Sequence, residues 1–215
     1  MPFKFTGKFF SIMGYLASFI TINLLCILCC IPVVTAGPSI CAMYYCMFKI
    51  FRKDEIRPFN EFFHSFKSNF RQGCILQIIV LFVGSVLYFD LKLSLYAFKT
   101  GMLFKITTIL LMIVAFVFLL MLTMLYPVQA QFTNTLKNTF KNALFLALSH
   151  LPYALIMLIL NALPVILLVV WMNAFLFMIP FYVFLGFSTV CFLNCFFLKK
   201  IFRPYLPEEK TIEES

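Results

Sequence analysis

Charge is scarce in this chain, and where it is missing is informative. Asp, Glu, Lys and Arg together make up 12% of the 215 residues against 63% hydrophobic, and six long stretches contain none of the four. A water-soluble surface cannot be assembled from that composition, so a soluble globular domain is excluded. Linkers rich in Gly, Ser or Pro are absent too. That leaves a single multi-span membrane domain over residues 1–203 and a short polar tail, Pro204–Ser215, expected to be disordered.

Catalytic groupings are equally sparse. His64 and His150 have no acid or nucleophile at a spacing that suggests catalysis, and no ionisable residue lies inside an apolar stretch, where a proton-coupled carrier would need one. The eight cysteines all sit within or at the edges of apolar stretches, so a disulfide framework of extracellular loops is excluded. Cys26 and Cys29 have metal-like spacing without a nearby histidine or acid, and they are read as small packing residues. No catalytic residue, cofactor or metal site is implied, and a non-enzymatic protein is expected.

What is present is length. A hydrocarbon core of about 30 Å takes roughly 20 helical residues to cross. Residues 9–31, 106–126, 151–170 and 175–197 meet that length, while 33–48 and 73–89 are shorter. The expected fold is an all-α integral membrane protein with six transmembrane helices in three hairpins and interfacial amphipathic helices on the cytoplasmic side. A five-span variant lays Pro38–Phe51 along the surface instead. Residues 9–31 exceed a signal-peptide core, and a further apolar segment follows them, so they are read as a span.

The basic residues orient the spans. With six crossings, fourteen fall on the cytoplasmic side: Lys4, Lys8, Lys49, Arg52, Lys53, Arg57, Lys67, Arg71, Lys137, Lys141, Lys199, Lys200, Arg203 and Lys210. Only Lys92, Lys99 and Lys105 face outward, so both termini are expected in the cytoplasm. The formal charge of +9 is thereby assigned to an anionic inner leaflet, not to nucleic acid. Tyr44, Tyr45, Tyr126, Tyr153 and Tyr205 would belong to an inner aromatic belt, and Tyr88, Tyr96 and Trp171 to an outer one.

A short internal repeat runs through this pattern. Phe66–Gln72 matches Leu136–Asn142 in residue character at an offset of 70, each copy ahead of a helical hairpin. Phe59, Phe62, Phe63, Phe66 and Phe70 recur at helical spacing, as do Phe132, Leu136, Phe140 and Ala143. Each copy is read as a helix on the membrane surface, with a cytoplasmic extension of the next span as the alternative. Inside the spans, Asn23, Gln77, Asn161 and Asn194 are expected to make interhelical hydrogen bonds, worth about 0.6 kcal/mol on average, in preference to lining a substrate path. Pro164 and Pro180, with Gly84 and Gly186, are candidate kinks.

The most specific string is Ile31-Pro32-Val33-Val34-Thr35-Ala36-Gly37-Pro38-Ser39-Ile40-Cys41-Ala42-Met43-Tyr44-Tyr45. In it Pro32 ends a helix, Thr35 is placed to cap the next, Gly37 to relax the turn, and Pro38 is tolerated in a first turn. Together with the basic turn and Phe59–Gln72, this string resembles the YesL-like family of bacterial integral membrane proteins, also catalogued as domain of unknown function 624. The residues that carry the likeness are Pro32, Val33, Val34, Thr35, Gly37, Ala42, Tyr44, Phe62, Phe66, Lys67, Asn69, Phe70, Arg71 and Gln72. The resemblance implies a multi-pass protein of the bacterial cell membrane, often encoded beside carbohydrate uptake systems, and no established activity.

The functional expectation is a membrane accessory or scaffold protein associated with carbohydrate uptake. Its partners would be the anionic inner leaflet and subunits of a sugar ABC transporter, with no nucleic acid. The candidate docking residues are Lys49, Arg52, Lys53, Arg57, Phe62, Phe66, Lys67, Phe70 and Arg71. A small-solute transporter or permease is the alternative. The permease loop Glu-Ala-Ala-x-x-x-Gly that would engage an ATPase is missing, and intramembrane charge is missing with it.

Overall fold

The computed structural model describes residues 8–52, 54, 56–97, 102–170 and 179–205. The described residues are almost all helical, with no strand among them. In chain order the helices are α1 (Lys8–Cys30), a single 3₁₀ turn (Val33–Thr35), α2 (Ala36–Phe51), α3 (Pro58–Ala97), α4 (Met102–Gln131), α5 (Leu136–Ser149) and α6 (Leu151–Val170). The last described segment, Ile179–Tyr205, holds a π-turn (Tyr182–Gly186), then α7 (Phe187–Phe202) and a closing 3₁₀ turn. Five helices are long and apolar enough to cross a membrane, or six if α5 and α6, bent by 105° at their junction, count as one broken span.

Large apolar side chains face outward along these helices, including Ile78, Phe82 and Phe89 on α3 and Ile109, Leu110 and Ile113 on α4. In water that surface would drive aggregation; in lipid it is the solvated face. The protein is therefore a multi-pass membrane protein.

The centre of the bundle is α2. From Cys41 to Ile50 nearly every side chain is buried, and the helix is flanked by α1, α3, α4 and α7. A helix lying on the membrane surface would keep one face open, so the environment of Pro38–Phe51 is that of a core element.

What lets α2 sit there is a close approach of two glycines. A Cβ on Gly37 would overlap the carbonyl oxygen of Gly73 on α3, and a Cβ on Gly73 would lie 2.8 Å from the Pro38 nitrogen. Between apolar helices in lipid there is little hydrophobic drive, and close van der Waals packing over small residues replaces it. The role expected for Gly37 in relaxing the turn is thus corrected: it lies inside α2 with helical backbone and is small because α3 passes over it. Thr35 also differs from expectation. It occupies the N-cap position of α2 without capping it, and its hydroxyl instead donates back to the carbonyls of Cys29 (2.7 Å) and Pro32 (2.8 Å). The first of these satisfies a carbonyl in the last turn of α1.

Two helices outrun their expected spans. α3 was expected to cross at 73–89 behind a separate surface helix at Phe59–Arg71, but it is one unbroken helix of 40 residues, about 60 Å long. The separate helix is thereby corrected to an extension of the span. Its apolar stripe is the reason. Phe62 is fully buried and Phe66 packs on the core, so the extension is held by its neighbours α2 and α4. α4 continues through Pro127 to Gln131. The backbone bond that Pro127 cannot make is tolerated inside a packed bundle.

Phe48, Phe132 and Phe202 bring the ends of α2, α4 and α7 together, with ring centroids 6.1 and 5.2 Å apart. At the far end of α3, Ser94 and Thr108 share a hydrogen bond of 2.6 Å that joins it to the start of α4. The bundle consequently has one end rich in basic residues and another that holds Lys92 and Lys105. Lys53, Trp171, Lys99, residues 175–178 of the expected sixth span, and residues 206–215 of the expected disordered tail lie outside the described residues.

Candidate functional site

Two polar zones lie inside the apolar bundle. The first joins the two copies of the repeat. Gln129, buried at the end of α4, donates through Nε2 to Gln72 Oε1 (3.0 Å) and to Asn69 Oδ1 (3.3 Å) on α3. Its Oε1 accepts from the Thr139 hydroxyl on α5 at 3.3 Å, and Gln72 Nε2 reaches the Asn134 carbonyl ahead of that helix. Asn69 and Thr139 occupy equivalent places in the two copies, at the offset of 70. One glutamine thus satisfies both from a point between them. Neither Gln129 nor Thr139 stands out in the sequence as a partner of Asn69, because both are neutral polar residues that any helix end can carry.

The zone carries basic residues outward. Lys67 and Arg71 on α3 and Lys137 and Lys141 on α5 are exposed, as are Arg57, Phe59 and Phe70. Of the expected docking residues, Phe62 is committed to the interior and Phe66 packs against it. Lys49 is paired to Glu61 at 2.9 Å and lies 5.1 Å from the Tyr45 ring. That half-exposed pair ties the end of α2 to the start of α3, at a worth of about 0.2–1 kcal/mol. Arg52 is partly buried at the C-cap of α2.

The second zone lies within the spans and contains all four polar residues singled out there. Asn23, fully buried on α1, donates to the carbonyls of Tyr182 (3.1 Å) and Val183 (2.7 Å) and accepts from the Ser188 amide (2.8 Å). Those carbonyls belong to the π-turn, whose wider winding leaves backbone groups in need of a partner. Gln77 accepts from the Tyr126 hydroxyl at 2.6 Å. Asn194, fully buried, donates to the Tyr44 hydroxyl (3.1 Å) and to Asn161 Oδ1 (3.0 Å), which links α7 with α2 and α6. All four make hydrogen bonds between helices.

The partners were not legible. Tyr44 and Tyr126, expected in an inner belt, are instead inside: Tyr44 is buried in the core and Tyr126 packs against it. Their hydroxyls find amide partners there, as a buried phenol requires. Tyr88 and Tyr96 remain exposed.

Between α2, α4, α6 and the final segment is a cavity of about 380 Å³. Its walls are mainly apolar, from Met43, Leu122, Leu158 and Phe187, with Tyr44, Thr123, Tyr126 and Asn161 among its polar points. Pro164, one of the candidate kinks, and the π-turn residue Tyr182 also line it, whereas Pro180 and Gly186 are not among its lining residues. The cysteines are free thiols; Cys26 and Cys30 lie 4.0 Å apart on one face of α1. Among the described residues no group of three or more His, Cys, Asp or Glu side chains is placed to hold a metal.

The Gly37–Gly73 contact and the Asn69 and Gln72 arms of the polar joint all lie in the first half of the fold. Residues 19–91 match the family model described as protein of unknown function, DUF624. This is the family that the motif resemblance names, and the matched region runs from Phe19 on α1 to Leu91 on α3. The DUF624 region supplies both glycines of the close approach, but Gln129 and Thr139 lie beyond it. No curated protein and no solved structure matches the chain.

Proposed function

We propose that this protein is a non-enzymatic accessory or scaffold protein of the bacterial cell membrane that docks a membrane partner through its basic end. Six crossings with both termini in the cytoplasm best accommodate the charge distribution. In that arrangement α5, at 105° to α6, lies along the inner interface with Leu144, Phe145 and Leu148 toward lipid and Lys137 and Lys141 toward headgroups. The observation that carries the docking reading is the joint at Gln129. It holds the base of α3 and α5 together by side-chain hydrogen bonds, and both helices present exposed basic residues from equivalent positions. Orientation needs only net positive charge near a span, whereas docking also benefits from charges held in fixed relative positions.

The partner chemistry is an acidic cytoplasmic surface, and the family resemblance directs the search to subunits of a sugar ABC transporter. The experiment moves charge at constant count: Lys67→Gln and Arg71→Gln, with lysines introduced at Asn60 and Ser68. Co-purification from native membranes is followed by mass spectrometry, and topology by maleimide accessibility of a cysteine at Phe3 in a background lacking the native cysteines. A partner recovered in fixed ratio by the wild type and lost by the variant, with topology intact, supports docking. Unchanged recovery removes this surface from the binding site. The second reading, a small-solute permease, draws on the cavity among α2, α4, α6 and α7 and would be favoured by solute flux from the protein alone in liposomes.

A further inference from the structure

Two polar groups that line the cavity hold donors without an acceptor. The Tyr44 oxygen already accepts from Asn194, so its own proton has no acceptor there, and the Asn161 carboxamide nitrogen is likewise left with its hydrogens unused once Oδ1 has accepted from Asn194. Both residues line the cavity. Thr123 and Tyr126, which also line the cavity, spend their hydroxyl protons on the Leu120 carbonyl and on Gln77, so the unused donors sit at Tyr44 and Asn161, where an acceptor oxygen would satisfy them.

Asn161 adds an independent observation. It is exposed on α6, and Val165, one turn further along the same face, is an exposed apolar residue, 61% accessible. A carboxamide among lipid-facing side chains is costly unless something satisfies it. The cavity thus reaches the lipid-facing surface at its polar point. No Lys, Arg or His and no carboxylate is among the lining residues, so neither an anionic nor a cationic group would be compensated. At about 380 Å³ the space falls at the small end of the ligand-pocket range of roughly 300–1,000 Å³. The π-turn at one wall is pinned by Asn23, and π-turns of this kind recur at functional sites.

We propose that this cavity binds an uncharged, chain-like lipid from the bilayer that places one hydroxyl or ester oxygen against Tyr44 and Asn161 and its apolar body against Met43, Leu122 and Leu158. This does not depend on the docking of a partner at the basic end.

The test uses the full chain in nanodiscs and, as probe, a long-chain alcohol with a photoactivatable diazirine in its chain. Adducts are mapped by mass spectrometry, with unlabelled dodecanol, methyl laurate, dodecane and laurate as competitors. Adducts should concentrate on the cavity-facing residues of α2, α4 and α6. Dodecanol and methyl laurate should suppress them, while dodecane and laurate should not. Tyr44→Phe should lower cavity labelling about fivefold, the worth of one neutral hydrogen bond, and Leu122→Trp should abolish it by filling the space. Thermal melts of both variants control for folding, and the competition series on the unaltered protein stands even if a variant fails to fold. Adducts spread evenly over the lipid-facing residues of α3 and α4 would overturn the proposal. Equal competition by dodecane would reduce the site to a gap filled by any acyl chain, and equal competition by laurate would contradict the neutral-ligand assignment.

Discussion

Phe66–Gln72 and Leu136–Asn142 share a residue pattern, yet the first forms part of an unbroken helix and the second belongs to a separate helix bent by 105° from the one that follows. Within the matched segments both copies turn an apolar face inward and a basic face outward. The difference arises downstream. At the offset of 70, Phe82 of α3 corresponds to Pro152, the second residue of α6. A proline there has no amide to offer the Leu148 carbonyl and disfavours helical backbone at the preceding residue. His150 becomes the joint: its amide bonds Leu146 and its carbonyl receives Ala154, so it ends one helix and begins the next. A shared pattern therefore sets which face is buried, and the second copy differs in the proline that stands, ten positions further on, beside the break.

The most damaging way to probe that difference is to import the break. Phe82→Pro should cost α3 about 3 kcal/mol or more, seen as loss of a monodisperse peak in detergent. A well-behaved variant would mean that packing, and not local sequence, sets the break. The next contrast is Gly73 against its counterpart Ala143. Gly73→Ala puts a Cβ against backbone atoms of Pro38 and should cost about 2 kcal/mol in a thermal or denaturant melt. The reverse change, Ala143→Gly, should cost about 1 kcal/mol, and Gly14→Ala, with nothing within 4 Å, should be neutral. An equal effect at Gly14 would refute the close-approach argument.

Gln129→Leu strikes the residue the two copies share: it takes the donor from Asn69 Oδ1 and Gln72 Oε1 and leaves the Thr139 hydroxyl only the Thr135 carbonyl. A loss of about 1–2 kcal/mol is expected, above the roughly 0.6 average for single polar contacts between membrane helices. A double-mutant cycle with Thr139→Val should show coupling, and additive effects would indicate that Thr139 is not held by Gln129. The smallest energetic change is expected from Pro152→Ala. Its readout is geometric: spin labels at Lys137 and Ile166 should move apart if the α5–α6 bend relaxes. An unchanged distance would assign the bend to the packing of α5 on α4.

The legible parts of the fold are those that lipid dictates residue by residue. α1 and α6 lie close to the expected 9–31 and 151–170, since an apolar run of spanning length needs no partner to be recognised. Asn23, Gln77, Asn161 and Asn194 were identifiable for the complementary reason, because a polar group in such a run must be satisfied by something. What satisfies them was not. Tyr44 and Tyr126 carry the same amphipathic signature whether they sit in a headgroup belt or inside a bundle, and only the position of α2 distinguishes the two. The stripe at Phe59–Phe70 was similarly ambiguous, since a face buried against protein and a face buried in lipid are equally apolar.

By itself the sequence determined the solvent of this protein, its helical class, its asymmetry of charge and the polar residues that its interior had to accommodate. Each follows from composition or from periodicity along one helix. Tertiary structure decided that α2 is central, that Gly37 faces Gly73, that one glutamine joins the two copies, and that four helices leave a cavity beside Tyr44 and Asn161. Most of these relations join residues distant in the chain, such as Gly37 with Gly73, Asn69 with Gln129 and Tyr44 with Asn161. They depend on which surfaces come within van der Waals distance, a quantity that no local pattern of hydropathy contains.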